Sequence, residues 1–190
     1  MHPYEMATTM RERGKDQSIK LNYGSLYTVV EALQQHELIV AQDTEREGRR
    51  PERTVYRLTD AGRMELIDWV SELISTPVKE YTLFEAGLSL IPVLPPEDAV
   101  ALLAQRCNRL EIEISQERSL LQFVAARGVA RLNLIEGEYL LAMHEAELAW
   151  TRTFAEAIRS GTLEGLAMWA ALHRAQAPQE NEVSVEKEEH

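Results

Sequence analysis

The sequence predicts a mainly α-helical protein, in which a winged helix-turn-helix with a two-stranded β-wing is followed by an all-α helical dimerisation domain. Three observations carry that expectation. Two short amphipathic segments joined by a polar connection open the chain; two β-branched runs then flank an arginine-rich turn; beyond Pro77 such runs stop and long helical periodicities take over.

Pro3 suits the first turn of a helix, and Tyr4, Met6, Ala7 and Met10 then share one side until Gly14 ends it. Asn22 is the expected N-cap of a second helix reaching about His36, with Leu26, Val29, Val30 and Leu33 at i, i+3, i+4 and i+7 as a buried stripe. Leu38-Ile39-Val40 and Thr54 to Leu58 read as the strands of a hairpin whose charged tip contains Gly48 and closes at Pro51. Thr59 is placed to cap a helix from Asp60 into Ser75, expected to bury Met64, Leu66, Ile67, Val70, Leu73 and one face of Trp69. Further helices are expected near Tyr81 to Leu90, Pro96 to Ala126, Leu132 to Ser160 and Leu163 to Ala175, with Pro96 fitting a first helical position. The expected domains are therefore a winged helix over 1–75, a helical dimerisation domain over 76–177, and a disordered acidic tail over 178–190 that is too poor in apolar residues to fold.

Composition narrows the function. Of the 190 residues 45% are apolar and 27% charged, the balance of a soluble globular chain, and no run approaches the roughly 20 apolar residues of a membrane span. The opening Met1-His2-Pro3-Tyr4-Glu5 has no basic segment leading into an apolar stretch, so the cytoplasm is the expected compartment. A net charge of −11 argues against a nucleic-acid partner only if it is uniform. From Thr44 to Leu58 five arginines (46, 49, 50, 53, 57) outnumber three glutamates, giving that segment +2. A duplex responds to such a local field, since charges further than about 8 Å away are screened at physiological salt.

Catalysis has no visible basis. His144-Glu145-Ala146-Glu147-Leu148 begins like the zinc-protease signature but has Leu148 where the second histidine belongs. His2, His36, His173 and His190 are scattered without ligand spacing, no glycine-rich loop has a phosphate-cradling pattern, and Cys107, among Leu103, Leu110 and Ile114, reads as a small hydrophobe. No catalytic residue, metal or cofactor is expected.

The strongest functional signal is a helix-turn-helix with a basic wing. On the second helix the outward face carries Gly24, Thr28, Glu31 and Gln35, flanked by Ser25 and Tyr27. Its N-terminal end offers free backbone N–H groups and the positive end of the helix dipole, while Glu31 further along is repelled by phosphate, so only the first two turns are expected in the groove. The expected DNA-contacting residues are Asn22, Tyr23, Gly24, Ser25, Tyr27 and Thr28 on this helix and Arg46, Arg49, Arg50 and Arg53 on the wing.

His2-Pro3-Tyr4-Glu5, Gly24-Ser25-Leu26-Tyr27, Glu37-Leu38-Ile39, Gly48-Arg49-Arg50-Pro51 and Tyr56-Arg57-Leu58-Thr59-Asp60-Ala61-Gly62 together resemble, in order and spacing, the successive signature blocks of PadR-family transcriptional regulators. The C-terminal region more loosely resembles the helical dimerisation domain of the longer, virulence-activator-like members. The resemblance implies a regulator of transcription, by family tendency a repressor. The family pattern has a further helix before the His-Pro-Tyr block, covering the apolar faces of the next two, and this sequence opens at that block. Either the start codon is assigned too late, the preferred reading, or the winged domain lacks its first helix and exposes Tyr4, Met6 or Met10.

A single winged helix reads few base pairs, so a homodimer on a pseudo-palindromic operator is expected on double-stranded DNA. Leu103, Cys107, Leu110, Ile114, Leu121 and Val124 alternate steps of four and three as a coiled-coil-like dimerisation seam, broken at Glu117; intrachain packing of one bundle is the competing reading of the same pattern. Ile135, Tyr139, Ala142, Ala146 and Ala149 form a second such line. The resemblance also implies a small aromatic effector, for which Tyr139, Met143, Trp150 and Phe154 are the candidate wall residues. The rival reading is a helical protein-interaction module or co-regulator that no longer binds DNA; the arginine wing beside a hydroxyl-bearing helix start argues against it.

Overall fold

The computed structural model describes residues 1–15, 23–45 and 53–176. The chain divides into two compact units, Met1–Glu80 and Tyr81–His190. No helix among the described residues is long and apolar enough to cross a membrane.

In the first unit, helix α1 (Pro3–Glu12) starts on a reciprocal cap: His2 Nδ1 accepts from the Tyr4 N–H and the Glu5 carboxylate accepts from the His2 N–H, both at 3.1 Å. Helix α2 (Tyr23–Gln35) ends where Glu37 turns left-handed at φ +58°, with the Leu38 N–H donating to the Leu33 carbonyl at 2.9 Å. Strands β1 (Ile39–Glu45) and β2 (Arg53–Leu58) pair antiparallel, from Ile39 opposite Leu58 to Glu45 opposite Arg53. β1 is longer than the three apolar residues that announce it, because a bulge between Ala41 and Asp43 lets the polar half of the strand stay in register. Met1 lies along β2, exchanging hydrogen bonds of 2.9 and 3.1 Å with Tyr56.

Helix α3 (Asp60–Ser75) is N-capped by Thr59, whose hydroxyl accepts from the Gly62 N–H at 2.9 Å and donates to the Glu37 carbonyl at 2.8 Å. This first turn is tied to the rest of the unit through Thr59 and buried Gly62. The expected burial of Met64, Leu66, Ile67, Trp69, Val70 and Leu73 is not met: all six are exposed, Ile67 by 58% and Trp69 by 56%. Helical periodicity shows that a face wants cover, but here no other described element of the unit lies beneath it. The stripe on α2 is likewise incomplete: Val30 is buried, Leu26 and Leu33 are half-buried and Val29 is exposed, since among the described elements α2 packs chiefly against α1 and β1. On α1, Tyr4 is exposed while Met6 and Met10 are half-buried.

The second unit comprises α4 (Leu83–Ser89), α5 (Pro96–Ala126), α6 (Ile135–Arg159) and α7 (Leu166–Gln176), with single 3-10 turns at Ile91–Val93 and Arg131–Asn133. α4 starts two residues later than expected because Thr82 supplies its cap, accepting from the Glu85 N–H at 3.2 Å. α5 and α6 form an antiparallel hairpin with two buried clusters. One joins Ala99 and Leu103 to Ala155, Ile158 and Trp169; the other joins Cys107, Leu110 and Ile114 to Leu148. The Trp169 indole N–H donates to the Leu94 carbonyl at 2.7 Å and anchors α7. Ion pairs flank the hairpin, Arg106–Glu147 at 2.5 Å, Arg118–Glu145 and Arg152–Glu111, and the His144 ring nitrogen lies 3.0 Å from the Glu117 carboxylate.

Candidate nucleic-acid interface

The start of α2 is the surface to which the sequence points. Gly24, Ser25, Tyr27 and Thr28 are exposed there, with Glu31 exposed one turn on. The opposite side is held inward by Val30, 4% exposed, and by half-buried Leu26. Two consequences follow from helix geometry. The hydroxyls of Ser25, Tyr27 and Thr28 stand on the solvent side within two turns, and Glu31 marks where acceptors replace donors. Tyr23 opens the helix.

β1 and β2 bring Glu45 opposite Arg53, so the backbone of Arg53 stands at the base of the wing. Asn22, Arg46, Arg49 and Arg50, also expected in the interface, lie outside the described residues, as do Gly48 and Pro51. Arg57, counted in the basic segment but not among the contacts, is exposed on β2 opposite Val40. Alternation along the strand was the signal that could have marked it.

Residues 1–68 match the model of the transcriptional regulator PadR-like family, a span that takes in α1, α2, the hairpin and the first half of α3. Over this span the chain is similar to the PadR-like family.

None of the curated proteins matches the chain. Solved PadR structures do, and they extend the likeness in fold beyond the PadR-like segment. Bacillus subtilis PadR in complex with operator DNA is 19% identical with a TM-score of 0.65, covering 83% of this chain and 89% of that one. The same B. subtilis regulator in complex with p-coumaric acid is 16% identical with a TM-score of 0.66, covering 84% and 90%. A PadR-like transcriptional regulator of Bacillus cereus is 16% identical with a TM-score of 0.54, covering 85% and 91%. At these identities the likeness is one of fold: a helical protein with a two-stranded antiparallel wing.

In the second unit, the sequence seam on α5 turns inward. Leu103, Cys107, Leu110 and Ile114 are buried against α6 of the same chain, and Leu121 and Val124 are half-buried. The reason is physical: the seam is the most apolar line of α5, and α6, the next long helix, covers it first. The second line, Ile135, Tyr139, Ala142, Ala146 and Ala149 on α6, remains exposed.

Of the four effector candidates, Trp150 and Phe154 come together, their rings stacked with centroids 5.1 Å apart, and Phe84 of α4 meets Trp150 edge-on at 6.1 Å. Tyr139 and Met143 stand exposed further up the helix. None of the four lines the cavity of about 530 Å³ between α4 and α5, which does contain Phe84. That cavity was not visible in the sequence, because it depends on how the short α4 folds back over α5. Among the described residues no three His, Cys, Asp or Glu side chains gather as a metal site, and His144 is paired with Glu117.

Proposed function

We propose that the protein is a sequence-specific, DNA-binding transcriptional repressor that acts as a homodimer on a pseudo-palindromic operator. The observation that carries this reading is the exposed start of α2, where Gly24, Ser25, Tyr27 and Thr28 face outward beside a hairpin whose connecting segment is rich in arginine. With Tyr23 at the helix start, the sequence offers Asn22 as a further contact and Arg46, Arg49, Arg50 and Arg53 as the cations of the reading. Pairing two such tips requires a dimer, and the exposed α6 line supports one: alanines at coiled-coil spacing allow two helices to approach closely. Release of the operator by a small aromatic effector completes the proposal. It is supported by the Trp150–Phe154 stack and by analogy with the B. subtilis regulator in complex with p-coumaric acid.

The test is a mobility-shift titration of the full chain on the DNA upstream of its own gene, at two salt concentrations. Specific binding should weaken steeply as salt rises, since each neutralised phosphate releases a counterion. Arg49→Ala with Arg50→Ala should weaken binding on every sequence, and Tyr27→Phe should act chiefly at the operator. A neutral arginine pair would remove the wing from the interface; indifference to all duplexes at low salt would favour the protein-interaction reading.

A further inference from the structure

We propose that the cavity between α4 and the first half of α5 binds an organic monocarboxylate with an aliphatic body, held at its charged end by Arg109. The site adds a ligand class to the regulator reading and lies wholly within the second unit.

Its volume, about 530 Å³, is in the range of small-molecule sites. Buried Leu103 and Leu110 form the floor, half-buried Leu88, Ile91 and Leu94 the sides, and Leu102 stands half exposed at the mouth. Phe84 is the one aromatic ring on the wall, and it is already engaged. The Arg106 guanidinium lies 3.7 Å from its centroid and Trp150 meets its edge. The surface left to a ligand is therefore aliphatic, which favours a flexible hydrocarbon body over a flat ring.

The polar rim consists of Gln105, Arg106, Arg109 and Glu113. Arg106 is neutralised by Glu147 at 2.5 Å. Arg109 has no ion-pair or hydrogen-bond partner among the described residues. Glu113 stands one turn further along α5 without pairing to it, and an acid C-terminal to its base is the weaker orientation for a helical pair. A guanidinium stays charged at any physiological pH and matches a carboxylate in a two-pronged hydrogen bond. The carboxylate of Glu113 repels a second negative charge, so the rim selects a single anionic group at the Arg109 end.

Calorimetric titration of the full chain, without DNA, tests the assignment with four probes: octanoate, octanol, octylammonium and 3-phenylpropanoate. Octanoate should bind once per chain and more tightly than the other three. Arg109→Gln should weaken octanoate by about tenfold or more and leave octanol unchanged, as expected for loss of one charge-assisted contact. Arg109 is exposed and unpartnered, so the variant should keep the parent's unfolding midpoint, which circular dichroism checks. Absence of octanoate binding, indifference to Arg109→Gln, or octylammonium binding as tightly as octanoate would each overturn the proposal. Tighter binding of 3-phenylpropanoate in competition with octanoate would overturn the aliphatic class. Because no DNA enters the measurement, failure of operator binding and failure of this site are read separately.

Discussion

Gly62 of α3 lies directly against the carbonyl oxygen of Leu38: a Cβ at residue 62 would stand 2.0 Å from that oxygen and 2.8 Å from its carbon. The contact explains why the Thr59-Asp60-Ala61-Gly62 block has its form. Thr59 caps the helix and ties it to the Glu37 carbonyl, and the missing side chain at residue 62 lets the first turn sit on the α2–β1 junction. Backbone atoms cannot give way as a flexible side chain would. Gly62→Ala should therefore destabilise the first unit by about 2 kcal/mol or more and lower DNA affinity with it. Thermal unfolding checks this, and an unchanged midpoint would contradict the packing described.

Glu37 holds the left-handed turn between α2 and β1 at φ +58°. A side chain at such a position costs of the order of 1 kcal/mol relative to glycine, which adopts it freely. Glu37→Gly should raise stability by about 0.5–1 kcal/mol in a denaturant titration. A loss instead would mean that the Glu37 side chain contributes something beyond its backbone.

Thr151 of α6 is completely buried and its hydroxyl has no hydrogen-bond partner among the described residues. Burying an unpaired hydroxyl costs about 1–3 kcal/mol, and valine has nearly the same shape without that group. Thr151→Val should stabilise the protein by about 1 kcal/mol, read as a higher denaturation midpoint with an unchanged slope.

Arg131 grips both carboxylate oxygens of Glu138 at 3.0–3.1 Å across the start of α6. The hydrogen bonds and charge of Arg131 hold the Glu138 carboxyl below its usual range, and the same pairing raises the Arg131 value. A lowered acid stabilises the fold above its unfolded value and loses that contribution as pH falls through its folded value. In Arg131→Gln, Glu138 should titrate at a higher pH than in the parent, as measured by NMR. Unmoved titration would show that the pair does not persist in solution.

The proposed pairing through the exposed α6 line predicts where such a dimer would be broken. Ala146→Glu places a charge at its centre without touching the buried α5–α6 clusters. Sedimentation should show a monomer with unchanged helicity; a variant that remains dimeric would move the interface elsewhere.

Local chemistry was legible in the sequence. The Thr59 cap, the Pro96 helix start, the two strands of the hairpin and the exposed tip of α2 follow from side chains acting on their own backbone or from a short periodic pattern. Where two partners compete for one face, pattern could not decide. The α5 seam and the α6 line carry the same four-three spacing, yet the first is buried within the chain and the second is open, because only the folded hairpin determines which line meets a helix. The exposed side of α3, the α4–α5 cavity and the unpaired Arg109 on its rim belong to the same class. Each depends on which distant segment lies opposite, and that is set by three-dimensional packing rather than by any neighbour along the chain.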